Sequence, residues 1–131
     1  MKDRQKKIQR ILEVQRQIHQ AAEWKLAHLE RRGAELDEAQ MALIRSLNAD
    51  DALHGLFVDT MARRLNRLST ESERNEREQK AQAARVLAEA QRVKTTERLS
   101  SKLDQEARRA DEKLTFRTIL DALAKTDASS R

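Results

Sequence analysis

The sequence predicts an all-α protein in which two long helices form an antiparallel coiled-coil hairpin, the second helix longer than the first. From about Asp51 to Lys125 the chain has no proline and, apart from Gly55, no glycine, so nothing in this stretch interrupts a helix. Charged residues make up 37% of the chain and aromatic residues 2%, which suits a thin helical seam better than a globular core. In the first third, apolar residues recur at steps of three and four, as in a coiled coil.

The first helix is predicted over residues 4–47. Two consecutive four-residue steps through Ala22 interrupt the heptad and predict one stutter. Gly33 costs about 1 kcal/mol relative to alanine in a helix interior, but the period resumes beyond it, so we expect one continuous helix. Gln15 and Gln40 occupy seam positions, where amides weaken packing and help to fix the register. The predicted seam consists of Ile8, Ile11, Gln15, Ile18, Ala22, Leu26, Leu29, Gly33, Leu36, Gln40, Leu43 and Leu47.

The turn between the helices is predicted at 48–52. Asn48, Asp50 and Asp51 supply side-chain oxygens that can cap the next helix. So short a connection makes the helices antiparallel neighbours. The most apolar part of the chain follows directly, and we predict a partner contact there that includes Leu56, Phe57 and Met61.

The second helix is predicted over 53–125, with a frayed tail at 126–131. Its segment Ser69 to Lys80 contains no apolar residue. Folding the hairpin about residue 50 sets this segment opposite residues 20–31 and predicts poor packing there. We expect a frayed, wet segment, with a flexible joint as the alternative.

The C-terminal part of the second helix is predicted to extend beyond the first. Folding about residue 50 places Met1 opposite residue 99, so residues beyond Leu99 have no partner within the chain. An amphipathic helix with an uncovered stripe indicates self-association or a binding partner. The candidate partner-binding residues at this end are Leu103, Leu114, Phe116, Ile119, Leu120 and Leu123, together with the basic N-terminal residues Lys2, Arg4, Lys6 and Lys7.

The sequence predicts neither an enzyme nor a cofactor or metal site. His19 and Glu23 share a helix face, but no third ligand is near them in the sequence. Two glycines 22 residues apart cannot form a phosphate-binding loop, and the chain has no cysteine. There is no membrane span and no apolar secretory core, so we expect a cytoplasmic protein without membrane insertion.

The layout resembles the FliJ/YscO family of flagellar and virulence type III secretion systems. The resemblance rests on the basic N-terminus, on the opening with Ile8, Leu12, Val14 and Gln15, and on a hairpin of unequal helices that fills the chain. It implies a cytoplasmic stalk, peripheral to the inner membrane through its partners. Both termini would insert into a hexameric export ATPase, and the stalk would contact the export gate and escort substrate chaperones.

Two other functions are weighed beside the export stalk. A homo-oligomeric structural coiled coil or adaptor would pair the overhanging helix with its copy in a second chain. A nucleic-acid or membrane-surface binder would use the basic N-terminus, and its binding would fall steeply with added salt. Nucleic acid is the weaker expectation, because acidic residues are interspersed almost everywhere beyond the first ten residues.

Overall fold

The computed structural model describes residues 2–49 and 55–129, which form two α-helices. Helix α1 spans Lys2–Ala49 and helix α2 spans Gly55–Ser129. They pack against each other as an antiparallel hairpin, and the second helix is the longer. The predicted fold class is therefore confirmed.

The helices are longer at three of their ends than the sequence predicted. Helix α1 includes Asn48 and Ala49, which were assigned to the turn, and α2 continues through 126–129, which were assigned to a frayed tail. The Thr126 hydroxyl donates a hydrogen bond to the Ala122 carbonyl oxygen four residues earlier, as it does within a continuous helix. The rest of the predicted turn, the start of the second helix at 53 and 54, and residues 130 and 131 lie outside the described residues.

The chain divides into two compact units, each containing part of both helices. The first unit consists of Met1–Arg16 with Gln91–Arg131, and the second of Gln17–Ala90. Within the first unit, Gln5 Nε2 donates to Asp104 Oδ1 at 3.0 Å. Within the second, Arg32 reaches across the seam to Glu71. Both units are thus antiparallel helix pairs.

The α1 seam is a strict heptad without the predicted stutter. Leu12 is 4% exposed whereas Ile11 is 47% exposed, and His19 is half-buried whereas Ile18 lies outside the seam. The stutter was wrong because it followed the most apolar residue in each turn, and a histidine takes one of the inward positions. The heptad positions, all of them buried or half-buried, are Gln5, Ile8, Leu12, Gln15, His19, Ala22, Leu26, Leu29, Gly33, Leu36, Gln40, Leu43 and Leu47.

The polar segment of α2 is continuous helix, and its inward side chains are buried or half-buried. Asn75 is 6% exposed, and its Nδ2 donates to the Leu29 carbonyl oxygen at 3.0 Å. Just beyond the segment, Gln82 is 4% exposed, and its Nε2 donates to the Ala22 carbonyl oxygen at 3.0 Å. Hydrogen bonds between the helices therefore replace apolar packing in this segment, and neither fraying nor a break in the helix is present.

Gly33 lies directly against polar side chains of α2. A β-carbon at this position would lie 2.6 Å from Gln79 Nε2 and 2.7 Å from Asn75 Oδ1. The missing side chain leaves room for both amides, which donate to the Leu29 carbonyl oxygen at 3.0 Å from Asn75 and 3.4 Å from Gln79. As the sequence predicted, the helix continues through Gly33.

The hairpin seam extends further along α2 than folding about residue 50 predicted. Leu103 is 8% exposed, and Gln9 donates to the Ser100 hydroxyl at 3.0 Å. Ala107 is the last half-buried position, and every described residue from 108 to 128 is exposed. The predicted overhang therefore began too early, because Gln5 lies opposite Asp104 and not opposite residue 95.

Candidate functional site

The candidate site is the part of α2 that α1 does not cover. It comprises 108–128, all exposed, and at about 1.5 Å per residue it measures about 30 Å. Burying exposed apolar side chains against a partner stabilises a complex by about 25 cal/mol per Å² of apolar area, before the costs of association. Large exposed apolar residues in this region are therefore candidates for a binding surface.

The six predicted overhang residues fall into three groups. Leu103 is buried in the hairpin and cannot contact a partner without unfolding it. Leu114 is 60% exposed and lies on the side of α2 that continues the seam. The other four are exposed and form what we call the outer stripe: Phe116, Ile119, Leu120 and Leu123.

The outer stripe points away from α1. At about 100° per residue, its four residues lie on average about 180° around the helix from the seam residues Ser100, Leu103 and Ala107. A partner could therefore approach the outer stripe from the side opposite the seam. Leu114, by contrast, lies within about 20° of Leu103 by the same count.

Basic side chains flank the outer stripe along one edge. Arg109, Lys113 and Arg117 are spaced four residues apart, and we call them the basic ridge. They line a shallow groove together with Glu112 and Phe116. The groove on the other side of Phe116 has a mixed lining of Arg108, Asp111, Glu112, Thr115 and Ile119.

The basic N-terminus belongs to the same unit as the outer stripe. All four of its predicted contact residues are exposed: Lys2, Arg4, Lys6 and Lys7. The unit has sixteen basic and nine acidic residues, whereas Gln17–Ala90 has eleven basic and thirteen acidic residues. Positive charge is thus concentrated in the unit that contains the termini, which favours an acidic partner surface.

The predicted contact near the turn is only partly described. Phe57 is exposed and Met61 is half-buried at a seam position. The side chain of Leu56 lies outside the described residues. The structure therefore supports Phe57 as an accessible apolar residue and places Met61 between the helices.

The described residues contain no group of three potential metal ligands among His, Cys, Asp and Glu. His19 Nε2 lies 3.1 Å from Glu23 Oε1, so the pair that the sequence singled out is in contact within α1. Across 2–49 and 55–129, neither helix includes a stretch that meets the length and apolarity of a membrane span.

Sequence reasoning missed the basic ridge and the direction of the outer stripe. Both could have been found by counting heptads forward from Leu103, because Phe116 and Leu123 fall out of phase with the seam by about half a turn. The prediction instead treated the apolar residues beyond Leu99 as one uncovered stripe.

Comparison with protein-family models, characterised proteins and solved structures finds no match to this chain. The hairpin, the outer stripe and the distribution of charge are therefore the features that indicate a function.

Proposed function

We propose that the protein is a non-catalytic coiled-coil component of a type III protein export apparatus. In this role it couples a hexameric export ATPase ring to the export gate and escorts substrate chaperones. It acts in the cytoplasm, peripheral to the inner membrane through its partners. The unit that contains both termini enters the ATPase ring, and the region around Phe57 is the second contact.

One observation carries the proposal. The exposed apolar stripe of α2 lies in the same basic unit as the N-terminal cluster. An uncovered apolar stripe on the part of α2 that extends beyond the hairpin seam favours a role in binding another protein. The resemblance to the FliJ/YscO family supplies the identity of the partner.

Reconstitution tests the proposal. The purified chain is mixed with the export ATPase and the cytoplasmic domain of the export gate protein from the same organism, and hexamer assembly and ATP hydrolysis are measured. We expect the chain to bind the ATPase and to promote its assembly, since a stalk stabilises the ring around it. If neither protein binds at micromolar concentration, the proposal is wrong.

A homo-oligomeric structural coiled coil is the second candidate, and the exposure of the outer stripe supports it as well. Sedimentation equilibrium of the purified chain separates the two functions. A monomer that binds the ATPase favours the export component, whereas a stable oligomer without ATPase binding favours the structural coiled coil.

A further inference from the structure

We propose that the outer stripe docks as one face of a helix into an apolar groove on a partner protein, with carboxylates along the groove wall that faces the basic ridge. The inference rests on the proposed function, in which another protein binds this end of the chain. It adds which face of α2 makes the contact, which residues anchor it and which charges the partner presents.

The spacing of the anchors supports a groove. Phe116, Ile119, Leu120 and Leu123 are related by steps of three, four and seven residues, the pattern by which an amphipathic helix enters a hydrophobic groove. Each of the four is about half exposed or more. Because they span only about two turns, the matching groove is short, about 11 Å between the first and the last anchor.

The charge of the groove wall follows from the basic ridge. Arg109, Lys113 and Arg117 line the same shallow groove as Phe116, with Glu112 as the only acidic member of that lining. Three cations along one edge of an apolar stripe are complementary to carboxylates on a partner. Such charges contribute mainly to the rate of association and to the choice of partner, whereas the apolar anchors contribute most of the affinity.

The acidic residues at the two ends of the stripe disfavour a second copy of the chain that pairs with it in an antiparallel direction and in register. An antiparallel pair centred between Ile119 and Leu120 would match Phe116 with Leu123 of the copy. The same register sets Glu112 opposite Asp127 at both ends, and like charges facing each other are destabilising. Glu112, which lies on the face of the stripe beside Phe116, also disfavours an anionic bilayer surface.

The chain offers a matched control for the experiment. Leu114 and Leu123 are the same residue type and are 60% and 61% exposed, but they lie on opposite faces of α2. We would place the photocrosslinker p-benzoylphenylalanine at Leu123 or at Leu114 of the full chain in its own cells. Crosslinked products are identified by mass spectrometry, and the crosslinked site on the partner is mapped to the residue.

We expect adducts to one protein from position 123 and about tenfold fewer from position 114. The mapped site should be an apolar groove with aspartate or glutamate in its wall. The purified partner is then titrated with each variant of the chain. Leu123→Ser should bind it with about tenfold or more lower affinity than the wild type, and Leu114→Ser should bind it with little change in affinity. Lys113→Glu should slow association, and added salt should have the same effect. Circular dichroism of the three variants should match the wild type, since none of these residues is buried.

Each other outcome overturns the inference in a distinguishable way. Equal adducts from both positions mean that the partner encloses the overhang, so the single-face docking is wrong while the export function stands. Adducts to a second copy of the chain or to lipid would identify that molecule, and not a separate partner protein, as the occupant of the outer stripe. A mapped groove without carboxylates removes the proposed role of the basic ridge. Absence of adducts from both positions contradicts the inference and the proposed function together.

Discussion

The side-chain amide of Asn75 donates a hydrogen bond to the backbone carbonyl oxygen of Leu29 at 3.0 Å. This carbonyl also accepts the Gly33 amide within α1, as the i to i−4 pattern of a helix requires. Its second lone pair is accessible from α2 because Gly33 has no side chain to cover it. The most polar segment of α2 is thereby attached to α1 through hydrogen bonds to its backbone.

The fit at Gly33 predicts an unusual response to alanine. Gly33→Ala should gain about 1 kcal/mol of helix propensity but displace Asn75, which leaves a buried amide unsatisfied at a cost of about 1 to 3 kcal/mol. We expect a net loss of about 1 kcal/mol in the free energy of unfolding, measured by urea denaturation. In a chain that already carries Asn75→Ala and Gln79→Ala, the same substitution should instead stabilise by about 1 kcal/mol. Stabilisation in both backgrounds would show that these amides do not depend on Gly33.

The inward position of Leu12 predicts different effects at two adjacent residues. Leu12→Ala should cost about 2 to 5 kcal/mol, because Leu12 is buried and the thin seam has few other apolar residues to fill the cavity. Ile11→Ala should cost less than about 1 kcal/mol, because nearly half of its surface is exposed. Thermal unfolding followed by circular dichroism measures both. Equal costs would place the stutter back in α1.

Gln40 predicts a stabilising substitution. Its Nε2 atom is buried and has no hydrogen-bond partner among the described residues. Gln40→Leu should therefore stabilise the hairpin by about 1 to 3 kcal/mol, since it removes an unsatisfied donor from a seam position. We expect a higher urea concentration at the midpoint of unfolding, with an unchanged slope of the unfolding free energy against urea concentration. The control Glu38→Leu changes an exposed residue of the same helix and should have little effect, and a loss of stability in Gln40→Leu would mean that the amide has a partner.

The end of the seam predicts a contrast between two leucines of α2. Leu103→Ala should destabilise the hairpin by about 2 to 5 kcal/mol, whereas Leu114→Ala should leave its stability within about 0.5 kcal/mol. Denaturation of both variants in dilute solution avoids contributions from association. A large effect at Leu114 would show that the pairing of α1 and α2 extends beyond Ala107.

Much of this fold could be predicted from the sequence, because the absence of proline and the heptad period both specify long paired helices. The period alone could not assign Leu12 and His19 to the seam, since Ile11 and Ile18 are equally or more apolar. The inward face is selected by the whole heptad, to which Ala22, Leu26 and Leu29 contribute. The burial of Asn75 and Gln82 was not predicted either, because it depends on carbonyl oxygens of the other helix.

The candidate site was predicted less accurately. Its location at the end of α2 followed from unequal helix lengths, and four of the six nominated residues form the outer stripe. Leu103 was assigned to the overhang because the pairing of the helices was set by folding the hairpin about residue 50. An error of a few residues in that fold point shifts the end of the seam by about twice as many residues. The direction of the outer stripe can be derived only when the last residue of the seam is known, and the structure identifies that residue as Ala107.

The half-turn offset between the seam and the outer stripe has an evolutionary consequence. The inward residues of α2 must match α1, which the same gene encodes, so a change on one helix can be compensated by a change on the other. If the outer stripe binds a second protein, as we propose, it must match a surface encoded elsewhere, and compensation there needs a change in a second gene. Aligned sequences of this protein should therefore show Leu103 varying together with α1, and Ile119 and Leu123 varying only with the partner.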